Sequence, residues 1–307
     1  MANLINGTEI AAQVKAEIAE EAAKLENFGI TPGLAVIIVG DDPASKLYVN
    51  NKKKACKDVG FFSEEFALPE KTTQKELLEL IDTLNKRFDI DGILVQLPLP
   101  KHMNEKTVIG AISPKKDVDA FSPFNVGRIM IGEYRFLPCT PAGVMELIKS
   151  TGVEIAGKNC VVIGRSNIVG KPMAMMLLHE DATVTICHSK TVNLAGITSN
   201  ADILISAVGK ANFVTADMVK EGAVVIDVGM NHDENGKLCG DVKFDEVEPK
   251  AGFITPVPGG VGPMTIAMLM KNTLTAAKMH KGLLGETPEP APDTKERSAW
   301  NKIMLHT

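Results

Sequence analysis

The sequence has few cysteines, no long apolar run and no excess of basic charge, and each shortage removes a class of protein. Its five cysteines (Cys56, Cys139, Cys160, Cys187 and Cys239) are odd in number, widely spaced and never in a C-x-x-C pair. Neither a disulfide framework nor a zinc site is expected, and a reducing cytoplasm suits the chain. The N-terminal MANLINGTEIAAQVK shows no basic segment followed by an apolar core. No later run approaches the roughly 18 apolar residues needed to cross a bilayer. The expectation is a cytoplasmic protein with no membrane partner. With a formal net charge of -5 and its lysines and acids interspersed, the chain offers no basic stripe to neutralise a phosphate backbone, so nucleic acid is not an expected partner.

What is present is the composition of an ordinary soluble globular protein, 45% hydrophobic and 23% charged over 307 residues. That length exceeds what one core usually supports, so two are expected. Short apolar runs alternate with stretches of helical period, the pattern of an α/β protein whose parallel sheet is covered by helices. In the first half the reading is helix 10–28, strand 34–39, helix 45–59, strand 62–68, helix 74–88 and strand 92–96. A Pro/Gly-bearing stretch of little periodicity, roughly 113–140, marks the boundary. A second series follows: helix 141–149, strand 160–163, helix 171–178 and strands 183–187, 203–207 and 223–228. VPGGVGPMTIAMLMKNTLTAAKMHK then reads as a Gly/Pro turn feeding a long helix, with Pro263 in its first turn. The domains are placed at 1–138 and 139–262, with helix 263–282 packing back on the first. Beyond Gly285, ETPEPAPDTKER looks like a linker, and the tail 286–307 holds the only tryptophan, Trp300.

CVVIGRSNIVGKPMAMMLL combines a strand, a glycine turn and a helix, the arrangement that presents helix N-terminal amides to a phosphate. Gly164 lets the chain turn and Gly170 lets the helix approach closely. Ser166 stands where a second glycine of G-x-G-x-x-G belongs, and Ile168 replaces the glycine that a hydrolase nucleophile elbow requires. The next strand, TVTIC, ends in His188, Ser189 and Lys190. An NAD enzyme usually places an acid here for the ribose hydroxyl. None is present, while Arg165, Ser189 and Lys190 can each donate to a 2′-phosphate, so NADP is the expected cofactor. Which of the three binds it is left open.

SKLYVNNKKKACKDVG looks like a solvated lysine run until it is placed on a helical wheel at about 100° per residue. Lys53, Lys54 and Lys57 fall with Asn50 and Asp58 on a polar arc. Lys52 lies among Tyr48, Ala55, Cys56 and Val59, where an amine loses hydration and its pKa falls. A snorkelling stem is the bland reading, and a lysine poised for proton transfer the functional one. Tyr48 is one turn away on the same face. Gln96 closes a strand in VQLPLP, where prolines prevent a continued ladder and free its amide for a pocket. KDVDAFSP carries Asp117 and Asp119, which read as turn formers before a metal pair, since no His or third carboxylate completes a shell.

YVNNKKKAC, VQLPLP, KDVDAFSP, PCTPAG, GRSNIVGKP and PVPGGVGPMT, in that order, resemble the signature blocks of the methylenetetrahydrofolate dehydrogenase/cyclohydrolase family over roughly residues 1–285. The resemblance implies two α/β domains around a cleft, the second a Rossmann-like doubly wound parallel sheet, and a homodimer. It implies NADP-dependent oxidation of 5,10-methylenetetrahydrofolate and hydrolysis of the methenyl product to 10-formyltetrahydrofolate. By position, Lys52 matches the family's catalytic lysine, Tyr48 its partner along the substrate, Gln96 the residue tuning the lysine, and Asp119 the acid gripping the pterin. Gly164, Arg165 and Ser166 match the NADP turn, with Ser189 and Met230 lining the cofactor. No metal is implied. Ala120 departs from the family's usual glycine after the second acid, which puts the geometry of that loop in question. The competing readings are an NADP dehydrogenase of another small substrate and a nucleotide sensor without turnover. A sensor would have no use for an amine at Lys52.

Overall fold

Gly33–Val39 is buried at every position, which a strand achieves only when both faces are covered. The computed structural model of the chain describes residues 1–234 and 236–285, so Trp300 and the rest of 286–307 lie outside the described residues. In chain order the elements of the first half are β1 (Asn3–Leu4), α1 (Gly7–Glu26), β2 (Gly33–Val39), α2 (Pro43–Asp58), β3 (Phe62–Leu68), α3 (Gln74–Lys86), β4 (Gly92–Val95), α4 (Glu105–Ala111) and α5 (Pro123–Ile131). The second half holds α6 (Cys139–Ser150), β5 (Asn159–Ile163), α7 (Gly170–His179), β6 (Thr183–Cys187), α8 (Leu194–Thr198), β7 (Ile203–Ser206), β8 (Val224–Asp227), β9 (Asn231–His232), β10 (Leu238–Cys239), α9 (Phe244–Val247), β11 (Phe253–Ile254) and α10 (Val261–His280).

The first sheet is parallel in the order β3-β2-β4. The two-residue period of β2 sends Ala35, Ile37 and Val39 toward Leu77, Ile81 and Leu84 of α3, and Leu34, Val36 and Ile38 into the main core. α3 starts at a capping box in which Thr73 and Glu76 satisfy one another's backbone N–H. The second sheet runs β1-β11-β8-β7-β5-β6, all parallel. Its neighbours on either side of β5 are reached in opposite directions, so the switch point of a doubly wound sheet falls at the carboxyl end of that strand. Cys160 and Val162 face the core shared with α6 and α7, while Val161 and Ile163 face the other side.

Two features depend on chain reversal across the molecule. The first residues, as β1, close the edge of the second sheet by pairing with β11. α10 returns to pack on α1, α2 and α6, and the Asn272 amide on it donates to Val118 O at 2.7 Å and Leu137 O at 2.8 Å. The stretch 113–140, expected to be irregular, contains α5, capped by Ser122 and ended by the left-handed Gly132. At nine residues this helix spans too few turns for a period to show in sequence.

Candidate active site

α2 is started by the Asp42 carboxylate, which accepts from Ser45 N at 2.8 Å, with Pro43 in the first turn. Its inner face buries Val49, Ala55, Cys56 and Val59. Lys52 stands on that face, half-buried, and its Nζ donates to Gln96 Oε1 at 2.9 Å. Gln96 follows the last residue of β4. Its backbone N–H still bonds Ile37 O at 2.8 Å, and its side-chain amide donates to Leu97 O at 2.8 Å, which turns the carbonyl oxygen toward the lysine. The Leu97–Pro98 peptide is cis. Burial holds the Lys52 amine below the ordinary lysine range, with the charges of Asp119 and Cys139 opposing.

The two acids of KDVDAFSP separate completely. Asp117 is buried and accepts from Phe121 N at 3.2 Å, Ser122 N at 2.8 Å and the Asn125 amide at 2.9 Å. It builds the start of α5. Asp119, partly exposed as a residue, places its carboxyl deep between Lys52 and Cys139. Burial raises it above the usual carboxylate range, the Lys52 amine pulls it down, and Asp117 adds to the rise. Burial first, then the Asp119 carboxylate, pushes the Cys139 thiol well above its ordinary value. Directly after Asp119, Ala120 takes a φ of 55°, a left-handed conformation that a glycine adopts without strain.

Tyr48, one turn before Lys52, touches the Met230 sulfur with its hydroxyl, and burial raises the phenol's pKa. Met230 follows β8, so this contact joins the two sheets' carboxyl edges. Beside it opens a cavity of about 580 Å³ lined by Tyr48, Asn51, Lys54, Met230 and Pro263, among others. Lys52, Gln96 and Asp119 are not among its walls. They lie around α2 from it, and Tyr48, one turn before Lys52, lines it.

At the switch point Gly164 has a φ of 134°, and a Cβ there would sit 2.5 Å from Ala207 O. A Cβ on Gly170 would fall 2.2 Å from Gly164 O. Only glycine permits this turn, whose backbone can therefore approach a phosphate closely. The Ser166 hydroxyl accepts from Val169 N at 3.1 Å and Gly170 N at 3.2 Å, so it closes the entry to α7. Arg165, Ser189 and Lys190 are all exposed. Lys190 N donates to His188 Nδ1 at 3.1 Å, bending the segment after β6. These residues fit a dinucleotide whose ribose carries a phosphate: the cradle admits no side chain, and cations stand where an acid would repel that group. Among the described residues, no cluster of His, Cys, Asp or Glu is disposed to hold a metal ion, and no helix is long and apolar enough to cross a membrane.

Sequence reasoning gave no site role to Cys139, counted among the cysteines and quoted within PCTPAG, and passed over Asp227 and Asp241. Asp227 ends an otherwise apolar strand, AVVID, and an acid in that position was the available signal.

Residues 5–119 match the catalytic domain, and residues 138–281 the NAD(P)-binding domain, of the tetrahydrofolate dehydrogenase/cyclohydrolase family. The bifunctional protein FolD of Ruminiclostridium cellulolyticum is 60% identical over 282 residues, 92% of this chain and 99% of that protein. Among solved structures, the FolD methylenetetrahydrofolate dehydrogenase/cyclohydrolase of Campylobacter jejuni is 50% identical, with a TM-score of 0.89 over 92% of this chain and 100% of that one. The Trypanosoma brucei enzyme, solved with NADP cofactor and inhibitor, is 43% identical, with a TM-score of 0.87 over 90% and 97%.

Proposed function

Because the chain belongs to the tetrahydrofolate dehydrogenase/cyclohydrolase family, we propose a division of its chemistry among the residues described above. The protein is a bifunctional enzyme that oxidises 5,10-methylenetetrahydrofolate to the methenyl form with NADP and hydrolyses that product to 10-formyltetrahydrofolate. Residues 1–138, with α10 packed against them, hold the folate, and 139–262 hold the dinucleotide through Gly164, Arg165, Ser166, Ser189 and Met230. Bound NADP supplies a nicotinamide ring that takes up hydride.

As hydride leaves the methylene carbon, lone pairs on the two folate nitrogens stabilise the cation, so the protein chiefly holds the partners in contact. Tyr48 and Met230, touching across the cleft, form that meeting point. Hydrolysis asks more. Water adds to the methenyl carbon and loses a proton, and one carbon–nitrogen bond then breaks as its nitrogen gains one, while the remaining hydroxyl proton passes to solvent and the formyl C=O forms. Lys52 in its neutral form takes the first proton and as ammonium returns one to the leaving nitrogen, a role suited to an amine whose pKa burial has lowered. Gln96 aims the amine, and the Asp119 carboxyl receives N–H groups of the pterin edge.

The observation that carries this reading is the half-buried Lys52 amine, 2.9 Å from Gln96 Oε1 and flanked by the Asp119 carboxyl. Supplying methylenetetrahydrofolate and NADP and following methenyl and formyl products separately tests it. Formation of methenyl without formyl product would remove the hydrolytic role. The free edge of β3, where Phe62 is 41% exposed, supports a homodimer, and the absence of an apolar spanning helix among the described residues agrees with a cytoplasmic location.

A further inference from the structure

Asp227 and Asp241 are buried, 3% and 0% exposed, and among the described residues neither carboxylate accepts from a cationic side chain. Asp241 Oδ2 accepts from the Ser206 hydroxyl at 3.1 Å and Val208 N at 2.7 Å, and its Oδ1 from Lys210 N and the Asn231 amide, both at 2.9 Å. Asp227 Oδ1 accepts from Gly229 N at 2.8 Å and Asp241 N at 2.9 Å, and its Oδ2 from Val242 N at 2.8 Å. Its own N–H donates to the Thr255 hydroxyl at 2.8 Å. Two glycines press backbone against these groups: a Cβ on Gly240 would lie 1.8 Å from Asp227 Oδ2, and one on Gly229 2.3 Å from Asp241 Oδ1.

Two buried anions without a countercharge are a costly way to close loops, since neutral turn residues would serve. What distinguishes the pair is what those loops carry. The segment after β7 holds Ala207, whose carbonyl packs on Gly164 of the dinucleotide turn. The segment after β8 holds Met230, against Tyr48, and the Asn231 amide bonded to Asp241 is the next residue.

We propose that Asp227 and Asp241 are positioning residues for the oxidation step, fixing residues 206–210 and 227–231 as the wall on which dinucleotide and folate meet. This rests on the function proposed above. Hydrolysis, carried out at Lys52 on α2, does not need that wall. A purely structural role would lower both activities together as the folded fraction falls, whereas a positioning role separates them.

The test uses the full-length enzyme, its Asn231→Ala variant, which removes one donor and leaves both carboxylates, and Asp241→Asn, which sets an amide NH₂ against N–H donors. Oxidation is measured as kcat/KM for NADP, and hydrolysis with methenyltetrahydrofolate supplied directly, alongside a thermal melt. Asn231→Ala should lower oxidation about tenfold and Asp241→Asn about 100-fold, with hydrolysis within about twofold of wild type for Asn231→Ala. Should Asp241→Asn fail to fold, Asn231→Ala decides alone. Oxidation by Asn231→Ala equal to wild type, or a parallel fall in both activities, overturns the proposal. A wild-type chain that oxidises no methylenetetrahydrofolate would instead refute the functional reading, and the same assay shows this before any variant is compared.

Discussion

Replacing Lys52 by Met removes the amine and keeps most of the stem on the helix face that buries Ala55 and Cys56, so the variant should fold. Two partners are left behind. Gln96 Oε1 loses the donor at 2.9 Å, which costs about 1 kcal/mol because the half-buried amide can turn toward water. Asp119 loses the cation that offsets its burial, so its pKa climbs further and it accepts pterin N–H groups less well. The larger loss is the proton carrier itself. General acid–base catalysis contributes about 10²–10⁴ in rate, or about 3–5 kcal/mol. Hydrolysis should therefore fall by about 10²–10⁴, while oxidation, which needs no base, falls by about tenfold or less through weaker folate binding. NADP affinity should be unchanged, because the Gly164 turn belongs to the other sheet. In the wild type, hydrolysis limited by the neutral amine should rise with pH through the lowered Lys52 pKa, and Lys52→Arg, always protonated, should lose that limb. The assay is consumption of supplied methenyltetrahydrofolate across a pH series, with Lys53→Met as control, since Lys53 only pairs with Glu65 at the surface. Hydrolysis by Lys52→Met within about tenfold of wild type would refute the reasoning.

Asp119→Asn should weaken folate binding by about 2–4 kcal/mol and leave NADP binding alone, because an amide sets a donor against one pterin N–H; paired calorimetric titrations check this. The enzyme should prefer NADP to NAD, and Arg165→Ala should lower NADP affinity about tenfold while scarcely changing that for NAD. Equal use of both cofactors by the wild type would contradict it. Asp227, lifted by burial from 3.8 to about 6, holds more protons folded than unfolded between those values. Its contribution to stability is present in full below about pH 4 and is lost as pH rises to about 6, a change of about 3 kcal/mol. Denaturation of wild type and Asp227→Asn at pH 4.5 to 7.5 should show the wild type losing ground with rising pH and then levelling. A constant difference would refute the shift.

Where local rules suffice, the sequence was enough. β3 and β6 span the residues read as strands, 62–68 and 183–187, although both lie at a sheet edge and are only partly buried. The face of Lys52 follows from the helical period, and Gly164 and Gly170 from the backbone conformation and close approach that a strand–turn–helix needs. The tertiary structure decided what no local period governs. Asp117 and Asp119 are two apart in a loop, and an irregular backbone carries no rule for which of them turns inward. Only the packing of α6 and α10 puts Cys139 beside Asp119 and leaves Asp117 to hold the segment that leads into α5. Nor could the sequence join β1 to β11, or Asp227 to Asp241. β1 and β11 meet as neighbouring strands, and the antiparallel β9–β10 pair returns the chain so that Asp241 reaches Asp227 at the carboxyl end of β8, an arrangement fixed by the path of the whole chain.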